Sequence, residues 1–201
     1  LVDRERSYAH LLILMNQSPR AEEQLKKLAT HSDRGVSNMA KQELTIIETK
    51  KTPFELKFTG LDGKETDLAQ MRGKVVALIF WSTNSKSFTD GLDRLKMLHS
   101  DYRKRGFEVV TVCYDKEEDR AKVQKYVKDN RINWPVHFDG TSGKNNFSPK
   151  LNADNSGLPR VYLFDKAGIL QTIMPAGRTE LTPNVPLSQL EPHVKRLLGI
   201  K

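Results

Sequence analysis

The sequence predicts an α/β fold, a central sheet covered by helices on both faces and preceded by a helical extension. Three observations carry this. Two nearly continuous apolar runs rich in β-branched residues, 74–81 and 107–113, flank a stretch with helical periodicity. A second helical stretch follows, and the chain then closes with a strand, a hairpin turn and a final helix. Residues 1–50 show helical periodicity throughout.

Within residues 1–50, Tyr8, Leu11, Leu12 and Met15 recur at helical spacing. Ser18 before Pro19 reads as an N-cap with proline in the first turn, and Leu25, Leu28 and Ala29 share the following face. A turn over 31–35 leads to a second stripe of Val36, Met39, Ala40, Leu44 and Ile47. This is the pattern of two or three short helices packed on a larger domain. A piece of a longer helical array is the competing reading, but a single hairpin does not establish a repeat. The break at Lys50-Lys51-Thr52-Pro53 sets the expected division: a helical extension over 1–52 and a domain over 53–201.

After the break, Phe54–Thr59 alternates apolar and polar residues as a half-buried strand does, and Leu61-Asp62-Gly63-Lys64 is a turn signal. Lys74–Trp81 reads as a strand buried on both faces. A helix is expected over 87–105, with Leu92, Leu95, Met97 and Leu98 on its apolar side and Gly106 as a left-handed cap. Phe107–Cys113 is a second buried strand, expected to run parallel to the first because a helix connects them. Residues 117–130 form the next helix, with Val123, Tyr126 and Val127 on one side, and 134–139 is short and extended. Arg160–Phe164 is a strand that turns through Asp165-Lys166-Ala167-Gly168 into 169–173. The last helix covers 187–198, where Ser188 and Glu191 fit a capping box that Pro192 crowds.

Composition narrows the function classes. No apolar run approaches the roughly 20 residues that span a bilayer, so no membrane span is expected. No signal peptide is legible, and because the chain begins at Leu1 rather than Met, a removed leader remains open. The net charge is +8, but bases and acids are interspersed, as in 116–122, and the densest cluster, Arg103-Lys104-Arg105, sits where cations complement a helix dipole. Nucleic acid is therefore not an expected partner, since no stripe of Arg interleaved with aromatics is present. His10, His31, His99, His137 and His193 are scattered and Cys113 is the only cysteine, so neither a metal site nor any other cofactor is expected. Gly140-Thr141-Ser142-Gly143-Lys144-Asn145 lacks the spacing of a phosphate loop and reads as a surface loop.

Four stretches carry a resemblance to a known family: Gly73–Trp81, Phe107–Val112, Trp134-Pro135-Val136 and Gly157–Gly168. In that order and spacing, residues 53–201 resemble the TlpA-like and AhpC/TSA (redoxin) branch of the thioredoxin superfamily. The resemblance implies a thioredoxin-like fold, a central mixed sheet flanked by helices. It implies thiol–disulfide chemistry through a Cys-x-x-Cys pair after the first buried strand, and a periplasmic or extracytoplasmic setting. It also implies a proline, usually cis, on the loop facing that pair, with backbone just before it that pairs with an extended peptide. Here the aligned stretch is Phe80-Trp81-Ser82-Thr83-Asn84-Ser85-Lys86-Ser87-Phe88. Ser85 stands at the nucleophile position and Phe88 at the resolving one; Pro159 matches the proline.

Dithiol exchange needs a thiolate that attacks and a second thiol that resolves the mixed disulfide. A helix N-terminus supplies about 0.3–1 kcal/mol toward ionisation, less than one pKa unit, far from enough for an alcohol. No catalytic residue is therefore expected at Ser85 or Phe88; Ser85 or Ser87 reads as a helix N-cap and Phe88 as packing. Cys113 remains the one candidate thiol, either a reactive group at the active-site edge of the sheet or an inert core residue. With the proline retained, a peptide groove lined by Trp81, Asn84, Ser85, Leu158 and Pro159 is expected. Two readings follow: a redox-inactive module that binds extended polypeptide, or a thiol oxidoreductase or peroxidase that uses Cys113.

Overall fold

The structure is a computed structural model that describes residues 18–144, 148–151, 153, 157–171 and 186–200. The stripe of Tyr8, Leu11, Leu12 and Met15 lies outside them, as do the last two residues of the expected strand over 169–173. The described chain opens with helices α1 (Ser18–Leu28) and α2 (Arg34–Thr49). They pack as a hairpin around Leu25, Leu28 and Ala40, with Val36, Leu44 and Ile47 against that cluster. The turn between them is shorter than the sequence suggests. Asp33 caps α2, its carboxylate accepting from the Val36 N–H, so Gly35 already lies in the first helical turn.

The alternation over 54–59 is realised: Phe54, Leu56 and Phe58 are buried and Glu55, Lys57 and Thr59 exposed. Strands β1 (Lys57–Thr59) and β2 (Glu65–Asp67) form an antiparallel hairpin across the expected turn. Next come β3 (Val75–Trp81), α3 (Lys86–Tyr102), β4 (Phe107–Lys116), α4 (Arg120–Asp129) and β5 (Val136–Gly140). The chain ends with the one-turn helix α5 (Ser148–Leu151), β6 (Arg160–Phe164), β7 (Leu170–Gln171) and α6 (Leu190–Leu198). Gly106 takes the left-handed conformation, φ 93°, that reverses the chain into β4.

The main sheet has the order β5-β4-β3-β6-β7. β3, β4 and β5 are parallel; β6 runs antiparallel to β3, and β7 antiparallel to β6. Every residue of β3 is buried, as its unbroken apolar run requires. Strand alternation sends Val75, Ala77, Ile79 and Trp81 to one face, where Phe88, Leu92, Leu95 and Leu98 of α3, Val123 of α4 and Val194 of α6 cover them. Val76, Leu78 and Phe80 face the other side, covered by Phe54, Phe58, Leu151 and Ile46 of α2. The helical hairpin thus contributes Ile46 to the sheet core.

Three local expectations are corrected. Met97 is 66% exposed, because a stripe of Leu92, Leu95 and Leu98 turns it outward. β4 runs to Lys116 rather than ending at Cys113, since it keeps pairing with β5 through an irregularity between Cys113 and Lys116. The capping box near the last helix does not form, because Glu191 instead accepts from the Tyr102 hydroxyl at 3.0 Å and pairs with Lys195.

Candidate functional site

The loop 82–85 leaves β3 at the C-terminal edge of the sheet and enters α3. A carboxylate that sequence reasoning missed holds it. Asp115, buried near the end of β4, accepts from the Ser82 hydroxyl, from the Thr83 N–H at 3.0 Å and from Thr83 Oγ1 at 2.6 Å. Asn84 is exposed; its N–H reaches Ser82 Oγ, and its side-chain oxygen accepts from Lys122 at 3.2 Å. The signal for Asp115 was an acid directly after an apolar strand, one that would need donors if the strand continued.

Ser85 occupies the N-cap position of α3, but its hydroxyl makes no cap bond. It donates instead to the carbonyl of Leu158, 2.8 Å away, and so ties the start of α3 to the Pro159 loop. The Leu158–Pro159 peptide bond is cis. Phe88 is fully buried and stacked on Trp81, with ring centroids 4.5 Å apart. Trp81 is therefore the floor beneath this region and presents no surface to a ligand, because alternation along β3 turns it into the helix-side core.

An open cleft of about 730 Å³ lies beside the Pro159 loop. Its walls are the first turns of α3 from Ser87 to Arg94, the loop 157–159, and 186–188. Of the residues expected to line a groove, Leu158 and Pro159 do so; Trp81, Asn84 and Ser85 do not. The walls at Asp90, Arg94, Pro186 and Leu187 were not legible from motif spacing, since they belong to no family signature.

Cys113 sits next to Trp81 in the β3–β4 register and is fully buried. Burial pushes its thiol well above the ordinary range, and the neighbouring Asp115 carboxylate adds to the shift, while a hydrogen bond from the Asp115 backbone offsets part of it. Among the described residues there is no group of three or more His, Cys, Asp or Glu side chains that could hold a metal ion. The 140–144 loop is organised by Asp139, whose carboxylate accepts from the Gly143 N–H at 3.0 Å and Thr141 Oγ1 at 2.9 Å.

The sequence model of the AhpC/TSA family matches residues 47–173, more than half of the chain. The chain belongs to the AhpC/TSA family. Curated proteins similar to it include the thiol-disulfide oxidoreductase ResA of Geobacillus kaustophilus, 30% identical over 139 residues, 69% of this chain and 75% of that protein. The thioredoxin-like protein YneN of Bacillus subtilis is 26% identical over 137 residues, 67% of this chain and 75% of its own length. A solved thiol:disulfide interchange protein of the thioredoxin family from Chlorobium tepidum shares the fold, with a TM-score of 0.59 at 20% identity over 74% of this chain and 97% of that one.

At the start of α3 the Ser85 hydroxyl is already donating to the Leu158 carbonyl, and Phe88, three positions on, places a phenyl ring in the core. Among the described residues no helix is long and apolar enough to cross a membrane.

Proposed function

We propose that this AhpC/TSA chain is a redox-inactive module that docks extended polypeptide. One observation carries the reading: the only thiol in the chain, Cys113, is fully buried, while Ser85 and Phe88 stand where the family resemblance puts the cysteine pair. Electron exchange between protein disulfides needs an accessible, ionisable sulfur. Burial and the Asp115 carboxylate both disfavour the Cys113 thiolate. The open cleft at Leu158 and Pro159 supports the docking half. In this reading the chain divides into a helical extension, residues 1–52, whose helix α2 packs on the sheet through Ile46, and a thioredoxin-like domain, residues 53–201, and it works in an extracytoplasmic compartment, as its resemblance implies. A fusion to alkaline phosphatase, active only after export, tests the compartment.

The decisive assay for the redox half is insulin reduction by dithiothreitol, followed by turbidity. The chain is expected to leave the rate at the dithiothreitol background. Acceleration of the kind a working dithiol protein gives ends this reading. The second reading, a thiol oxidoreductase or peroxidase using Cys113, is favoured by the names of the relatives; it requires native-state access to that thiol.

A further inference from the structure

A second, smaller cleft of about 140 Å³ lies further along α3, toward Met97 and Leu190. Gly91, Arg94 and Leu187 line both clefts, so the two are one seam between α3 and the segment entering α6. Gly91 lets the walls approach: a Cβ there would stand 3.1 Å from Leu187 Cδ1. A glycine inside a helix costs about 1 kcal/mol relative to alanine, so its place opposite Leu187 matters to the shape of the seam.

The seam differs from the rest of the surface in two respects. Met97 is the large apolar side chain left exposed among the described residues, and methionine adapts well to varied partners. The seam is also acidic on a basic protein. Among the described residues, Asp90, Asp101 and Glu191 line it against the one cation Arg94, three negative charges to one positive, while the chain carries +8. Glu191 shares its charge with Lys195 at 3.1 Å, which still leaves Asp90 and Asp101 outnumbering Arg94.

We infer that this seam docks an extended segment of another polypeptide that carries an apolar side chain followed by a basic one. This rests on the docking reading above and names its substrate class. From Asp90 to Asp101, α3 rises about 16 Å, the length of about five residues of extended chain. The apolar side chain sits against Leu158, Pro159 and Leu187, and the basic one reaches Asp101. The Leu158 carbonyl already accepts from Ser85, so side chains rather than strand pairing at that carbonyl carry the recognition.

The test uses the whole chain and fluorescence anisotropy at low salt. The probes are two fluorescein-labelled decapeptides of Gly and Ser with Leu at position 3 and either Lys or Glu at position 8. A third probe is carboxymethylated α-lactalbumin, a permanently unfolded polypeptide. The Lys peptide is expected to bind about tenfold tighter than the Glu peptide, with the ratio falling toward one at high salt and in Asp101→Lys. Asp101 is exposed, so that variant is expected to keep its circular dichroism. Equal affinities, or a ratio unchanged in Asp101→Lys, overturn the seam; binding of the lactalbumin probe then leaves the broader docking reading in place. Failure of all three probes overturns both.

Discussion

Replacing Asp115 with alanine is expected to cost about 2–4 kcal/mol and to release the loop that leads into α3. The carboxylate is buried and accepts from Ser82 Oγ, the Thr83 N–H at 3.0 Å and Thr83 Oγ1 at 2.6 Å. A hydrogen bond to a charged acceptor contributes about 1.5–3 kcal/mol net, so these contacts bound the loss from above at about 5–9 kcal/mol. Two effects reduce it. Deleting the carboxylate also removes the cost of burying a charge, which is several kcal/mol. Ser82 and Thr83 are only partly buried, so their freed donors regain water. Urea unfolding with an unchanged slope gives the number. The decisive comparison is a double-mutant cycle. Ser82→Ala is expected to cost about 1 kcal/mol alone and almost nothing in the Asp115→Ala background. A loss below about 0.5 kcal/mol for Asp115→Ala, or equal costs of Ser82→Ala in both backgrounds, refutes the clamp.

Phe88→Ala is expected to cost about 3–5 kcal/mol by emptying the space under Trp81, as urea unfolding will report. Ser85→Ala is expected to cost about 1 kcal/mol while leaving the helical circular dichroism intact, since the bond lost is to Leu158 and not a cap. Stability is expected to fall as pH drops from 7 to 5. Burial holds the His137 and His193 imidazoles below their ordinary 6.5, so the unfolded chain takes up protons first, and stability present above about 6.5 is lost as pH falls through the lowered folded values. Thermal melts of His137→Gln, with a shallower pH slope, check this.

The sheet was readable because β3 and β4 are buried on both faces, and such strands write themselves as unbroken apolar runs. Gly106 and the β6–β7 turn were readable because local backbone geometry dictates their residue types. What the sequence hid lies in contacts between distant segments. Ser85 looked like a cap because caps are local, yet its partner Leu158 is 73 positions away. Glu191 looked like a capping-box member until Tyr102, 89 positions earlier, claimed it. Trp81 was expected to line a groove because it adjoins the motif, but its parity along β3 commits it to the core. Asp115 was missed because the apolar pattern stops at Tyr114 while the strand does not.

The measurement that bears most directly on redox inactivity is alkylation of Cys113 by iodoacetamide at pH 8, in native protein and across a urea series. The account predicts that labelling tracks the unfolded fraction and is negligible in the folded state, as for a sulfur fully buried in the helix-side core. Rapid, stoichiometric labelling of the native chain would contradict it and hand the site back to thiol chemistry.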